Sequence, residues 1–425
     1  MEMLRRTLLT LLAGASIAAV VTAPALAQSD ETGSLRLMTF GGDAQLKATQ
    51  DAVARFNEKY PNVTVEVGID SVSGGWGDFV SRVLQQYNAG QQYDVYHTAV
   101  ETLQSFAARD MFLPLDDFIA ANDTFADFDQ RLFELTEYKG STYFIPSTWN
   151  NIMVNYNRAL FEEAGIEFPS REWTWEEFAD IAQQLTVRDA GGNVTQFGYE
   201  VPSFFFGLMP WFFSNGTSPI TEDWTASNMT DPKVKETLEY LYDLIHEYKV
   251  SPVPGQEGIE NQFFAGQIAM ISRGHWIVQN AISSELDMDV AVQPARESHN
   301  TVIGFGAYGI SSKTASPELA EALVLELLSP ETQQAEGELG GAVPGRRSAA
   351  ETEGFLAFPP SAALYYETLP DTQAVPSPAN FQEVDQIVMR YFTAMMTGEI
   401  SIDDGIAQAD QELTRSFQRI ARITQ

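Results

Sequence analysis

The chain has 425 residues, with 25 Lys and Arg against 58 Asp and Glu, for a formal net charge of -33. That acidity repels phosphate backbones and argues against a nucleic-acid partner, while 44% hydrophobic and 12% aromatic residues supply a core and exclude wholesale disorder. Cysteine is absent, which removes disulfides, thiolate metal sites, cysteine nucleophiles and a lipid-modified N-terminal cysteine.

Arg5 and Arg6 precede an apolar stretch from Leu8 to Val21, then Pro24 and the small-residue triplet Ala25-Leu26-Ala27. A basic start, an apolar middle and small residues at a cleavage point predict an export signal over residues 1–27. Thr10, Gly14, Ser16 and Thr22 interrupt the run, and no second apolar stretch of about 18 residues follows, so a membrane anchor is the weaker reading. An exported chain without disulfides needs a large core, which fits a soluble, non-lipidated protein of the bacterial periplasm.

Leu35, Leu37 and Phe40 predict a strand ending at Gly41 and Gly42, where Asp43 is placed to cap a helix with Leu46, Val53, Phe56 and Tyr60 on one face. Pro61 stops that helix, and Val63, Val65 and Val67 alternate as a second strand. Such a βαβ unit forces a parallel pair, and open α/β sheets gather ligands beyond their strand carboxyl ends. A helix over Phe79–Tyr87, a strand over Tyr93–Tyr96 and a loop carrying His97, Thr98 and Glu101 repeat the pattern. Extended segments flank Trp149. Helices are predicted at Ala159, Thr174–Leu185, Lys235–Tyr248, Gln262–Met270 and Pro317–Leu328, with an aromatic, Gly/Pro-containing loop over Phe204–Phe213. Strands fall at Val290–Val292 and Tyr308–Ile310, and long helices close the chain. The fold class is α/β.

Enzyme signatures are missing. His97, His246, His275 and His299 match no metal-ligand spacing, and no serine sits in a nucleophile elbow. Gly304, Gly306 and Gly309 form a G-x-G-x-x-G, but a dinucleotide loop needs a helix opening at the third glycine, and here an extended segment continues. With 58 carboxylates, a glycosidase acid pair is not recognisable by inspection.

Three segments in order resemble the extracellular sugar-binding proteins of ABC importers, the maltodextrin-binding-protein-like group. They are Gly140 to Trp175, containing Tyr143-Phe144-Ile145-Pro146 and Asn155-Tyr156-Asn157; Phe263 to Trp276, containing Phe263-Phe264-Ala265-Gly266 and Ala269-Met270; and Gly306 to Ser348, containing Ala307-Tyr308-Gly309, Gly340 and Pro344. Trp149-Asn150-Asn151 and Phe305 fall where that family varies, leaving the ligand open. The resemblance implies two α/β lobes, residues 28–145 with 304–344 and residues 146–303 with 345–425. It implies chain crossings near Phe144–Ser147, Ala295–Ile303 and Gly340–Arg346, and a ligand clamped between the lobes by hinge closure. It further implies a monomeric binder without catalysis or cofactor, delivering a mono- or oligosaccharide or sugar derivative to inner-membrane permease subunits. A glycerol phosphate ester, a sulfonated sugar or a polyamine is the alternative ligand, and a secreted glycan-active enzyme the alternative class.

A sugar ring offers C–H faces to aromatics and a hydroxyl rim to carboxylates, amides and Arg. Trp276 stands where the resembling family places a stacking aromatic. Trp76 in its glycine-rich loop, Trp149 after the first crossing and Trp211 after Pro210 are further stacking candidates. Gly42, Asp43, Thr98, Glu101, Asn150, Gly306, Tyr308 and Arg346 are the polar and backbone candidates, with Arg346 the cation that an anionic ligand would need.

Overall fold

A computed structural model describes residues 28–70 and 75–423; the expected export signal lies outside them, as do Ser73 and Gly74 of the glycine-rich loop. Leu35 and Leu37 are fully buried on strand β1 (Thr32–Thr39), which pairs in parallel with β2 (Asn62–Ile69) along its whole length. Helix α1 (Asp43–Lys59) connects them and buries Ala52 and Phe56. The N-cap is Gly42 rather than Asp43, which occupies the first turn, where its charge favours the positive end of the helix dipole.

Two larger sheets also contain β3 (Val95–Ala99), β4 (Ile145–Asn151), β5 (Met153–Asn157), β6 (Met270–Arg273), β7 (Met288–Ala291), β8 (Thr301–Ile310), β9 (Val343–Pro344) and β10 (Thr372–Ala374), and two short hairpins lie outside them. The large sheet has the order β9-β4-β8-β3-β1-β2, with β10 paired to the start of β8. A small sheet has the order β6-β5-β7, both outer strands antiparallel to β5. The two sheets are the cores of two lobes. The chain changes sheets at Ile152, between β4 and β5, later than the expected first crossing, because β4 stays paired to β8 as far as Asn151. It crosses back between Ala291 and Thr301.

Helix α2 (Gly75–Asn88) precedes β3, and α3 (Trp175–Gln184) starts with a capping box between Thr174 and Glu177. The aromatic stretch is helical, not a loop: α4 (Phe205–Ser214) tolerates Pro210 and packs along β8. Nearly all of it is buried, and burial outweighs the lost backbone donor. Helices α5 (Pro232–His246) and α6 (Val278–Ser283) belong to the small-sheet lobe. Met270 opens β6 instead of closing a helix. Helices α7 (Pro317–Leu327) and α8 (Pro330–Glu338) pack on α1, so Leu319, Leu323 and Leu327 share a core with Leu35 and Phe56. The closing pair α9 (Phe381–Met396) and α10 (Ile402–Ile423) spans the junction: α9 packs on α2 of one lobe and on α5 of the other.

Candidate ligand-binding site

Strand β8 passes between the lobes with little side-chain bulk. A Cβ at Gly304 would lie 2.8 Å from the Phe206 ring of α4 and 3.4 Å from Oε1 of Glu101, so the bare backbone lets an aromatic and a carboxyl close in on the same point. A Cβ at Gly306 would lie 2.9 Å from His97 Nε2 and 3.0 Å from Ser147 Oγ. All three glycines of the G-x-G-x-x-G lie inside β8, and no helix opens at Gly309, which removes the dinucleotide reading.

The small-sheet lobe contributes an aromatic face. Half-buried Trp276 follows β6 in a short turn, with Phe206 at 6.3 Å and Phe204 at 6.5 Å between ring centroids. Any side chain at Gly274 would collide with the Trp276 ring and crowd Asn150 Oδ1 at 2.9 Å. Asn150 accepts a hydrogen bond from the His275 N–H at 2.8 Å, which orients its half-exposed amide beside the tryptophan. Arg273 lies over Phe204 at 5.0 Å, but its guanidinium is buried against Glu200 and Glu260, each at 3.1 Å.

Across the junction, Phe40 stacks on His97 at 4.5 Å and meets the edge of Trp76 at 4.9 Å. His97 stacks on Tyr308 at 4.4 Å, and its ring nitrogens face Thr39 Oγ1 and Ser147 Oγ. Burial pushes His97 down to about 3, so it is neutral. Glu101 is 3% exposed, and its Oε2 has no hydrogen-bond partner among the described residues. Burial, aided by the charge of Asp385, pushes its carboxyl up to about 8. Asp385 of α9 packs on the backbone of Gly77, where a Cβ would be 3.1 Å from its Oδ2. Burial first and Asp78 second raise it to about 6, against the hydrogen bond from the Gly77 N–H.

The structure thus gathers Trp276, Asn150, Glu101 and Gly306 around β8, with Trp76 joined through Phe40. Gly42 and Asp43 are exposed beyond β1, just past Phe40. Five further candidates are buried, as Glu101 is, and are engaged by protein neighbours. Trp149 has no exposed surface and donates from Nε1 to Pro344 O at 3.2 Å. Trp211 has none either; it sits in α4 among Trp175, Phe178 and Tyr199 and donates to Tyr199 Oη at 3.1 Å. Thr98 is fully buried against Thr102 at 2.9 Å, and Tyr308 is 4% exposed under His97. Arg346 is 3% exposed and held by Leu328 O at 2.6 Å, Thr124 O at 3.0 Å and Asp127 at 3.3 Å.

Phe204, Phe206 and Asp385 were not foreseen. The aromatic density over residues 204–213 was a signal for the first two; one aspartate among 58 acidic residues gave none for the third. Cavities of about 590 and 380 Å³ lie elsewhere, at Arg131–Arg347–Tyr366 and at Trp175–Tyr240–Arg296. Their linings include exposed ion pairs, Arg347–Glu351 and Arg296–Glu236, and they hold no candidate residue.

A substrate-binding protein of an ABC system from Listeria monocytogenes, in complex with cycloalternan, superposes with a TM-score of 0.82 at 21% identity over 91% of this chain and 100% of that one. A solute-binding protein from Thermotoga lettingae bound to alpha-D-tagatose gives 0.78 at 22% identity, over 91% and 100%. The mannitol-binding protein of Pseudomonas aeruginosa is 22% identical over 444 residues, 95% of this chain and 97% of that relative. These likenesses establish the two-lobed fold of periplasmic binding proteins. Residues 51–359, most of the chain, match the bacterial extracellular solute-binding proteins, and the chain belongs to that family of exported binding proteins.

Proposed function

We propose that the protein captures a sugar or polyol between its lobes and delivers it to the permease of an ABC importer. The observation that carries this reading is the meeting at Gly304 of an aromatic face, Trp276 with Phe204 and Phe206, and a buried carboxyl, Glu101. Sugar C–H faces pack on such rings, and hydroxyls satisfy such a carboxyl. The cycloalternan, tagatose and mannitol in the names of similar proteins share that chemistry. A phosphate or sulfonate ester is disfavoured, because Arg273 and Arg346 are both consumed by protein partners.

Contact with both lobes stabilises the closed state, which the permease then reads. The protein binds without turnover and acts as a monomer. With no cysteine to carry lipid, it works free in the periplasm after cleavage at Ala27. A thermal-shift panel of neutral sugars, polyols, sugar phosphates and polyamines tests this. A ligand at 100 times its dissociation constant adds about 2.7 kcal/mol, a visible shift in Tm. Stabilisation by a neutral carbohydrate recovered unchanged is the expected result; stabilisation only by phosphates or polyamines, or conversion of a glycan to product, contradicts it.

A further inference from the structure

We propose that Asn150 sets the hydrogen-bond polarity of the tryptophan face. Its amide oxygen is held by the protein, so its NH2 group donates to the ligand, and the ligand presents an oxygen acceptor where it stacks on Trp276. This rests on the carbohydrate reading and specifies which kind of ligand atom that site recognises.

Asn150 stands on β4 of the large sheet, opposite Gly304 of β8, whereas His275 follows β6 in the small-sheet lobe. The His275 backbone N–H meets the amide at 2.8 Å. Only an acceptor can face an N–H, so the amide oxygen is the atom turned to His275, and the NH2 group is turned away from it. The flipped amide would set donors against each other. The side chain is half-buried, and its Nδ2 has no hydrogen-bond partner among the described residues. Two N–H donors are therefore unused.

Gly274 brings those donors beside the ring. A Cβ there would lie 2.2 Å from Trp276 Cζ3 and 2.9 Å from Asn150 Oδ1, so an indole from one lobe and an amide from the other converge on a single point. Gly274 has φ −82° and ψ −173°, extended backbone that any residue adopts. Its missing side chain serves this contact, not the turn. A sugar or polyol lying with its C–H face on the indole turns its oxygens outward along the rim, where the amide donates to one of them. An ammonium group only donates, so a polyamine or an amino sugar with its nitrogen at this point meets two N–H groups and is rejected.

The test uses D-mannitol, D-tagatose and maltotriose as probes, with calorimetric affinities at neutral pH for the wild type, Asn150→Asp, Asn150→Ala and Gly274→Ala, and Tm for each protein. Asn150→Asp keeps an oxygen for the His275 N–H and removes both donors, so its Tm should hold at the wild-type value while affinity falls at least about tenfold. Asn150→Ala should lose as much affinity and lower Tm as well, because the His275 N–H is left unpaired. Gly274→Ala, which the backbone accepts, should push the indole aside, weaken binding by about tenfold and shift the tryptophan emission. An Asn150→Asp protein that binds a probe as tightly as the wild type, or whose Tm falls as far as that of Asn150→Ala, overturns the assignment while leaving the carbohydrate reading intact. Failure of every probe to bind the wild type, with stabilisation by phosphates or polyamines instead, overturns both.

Discussion

Replacing Arg346 with Met should destabilise the fold strongly while leaving the ligand affinity of the folded molecule unchanged. The guanidinium donates to Leu328 O at 2.6 Å, Thr124 O at 3.0 Å, Thr124 Oγ1 at 2.5 Å and Asp127 Oδ2 at 3.3 Å, and lies 5.0 Å over the Phe128 ring. Methionine keeps the apolar stem but strands the two carbonyls, each costing about 1–3 kcal/mol when left unpaired. Asp127 loses less, because it is 30% exposed and still accepts from Ser348 Oγ at 2.6 Å. The total is about 3–5 kcal/mol, the range for breaking a buried ion pair, against a stability of about 5–15 kcal/mol for a typical protein. Urea unfolding followed by tryptophan fluorescence at pH 7 measures the first effect, and calorimetry well below the unfolding midpoint measures the second. Unchanged stability with lost affinity would refute the reasoning and return Arg346 to the ligand.

Glu336 of α8 is 5% exposed with an unpartnered Oε1, and burial pushes its carboxyl up to about 8, partly offset by a hydrogen bond from Gln45. Its folded value lies above its unfolded one, so the folded chain holds the extra proton, and stability is lost as pH rises from about 4.5 through about 8. Glu336→Gln should therefore raise Tm at pH 9 and leave it unchanged near pH 4; equal gains at both pH values would contradict this. Gly340, at φ +77°, brings a would-be Cβ within 2.8 Å of the Gln279 backbone nitrogen on α6 of the other lobe. Gly340→Ala should wedge the lobes and weaken binding by about 1.4 kcal/mol, or tenfold; equal affinity in calorimetry would show that this contact does not gate closure.

The first βαβ unit was legible because it rests on local signals: the alternation at Val63, Val65 and Val67 and the stop at Pro61. Where tertiary burial overrides local chemistry, reading the sequence failed. Pro210 reads as a helix breaker, yet α4 forms because its aromatics have a core to enter. Met270 reads as the end of a helix, yet Met153 to Tyr156 of β5 offer it and its successors a strand partner. Site residues divide the same way. Trp276 was singled out by the family resemblance over Phe263 to Trp276, and its half-buried ring lies beside Phe204 and Phe206. Trp149, Trp211 and Arg346 carry the chemistry that binds sugars, but that chemistry also builds cores and clamps, and composition does not distinguish the two uses. Asp385 became visible only when α9 returned from the far end of the chain to lie on α2.

The central claim is that a carbohydrate sits on the Trp276 face. Titrating the best-binding neutral sugar of the panel into the wild type and Trp276→Ala by calorimetry tests it most directly. One site per chain in the wild type and a loss of at least about 2 kcal/mol in the variant, roughly 30-fold, is the predicted result. A folded Trp276→Ala protein that binds the sugar as tightly as the wild type would contradict it.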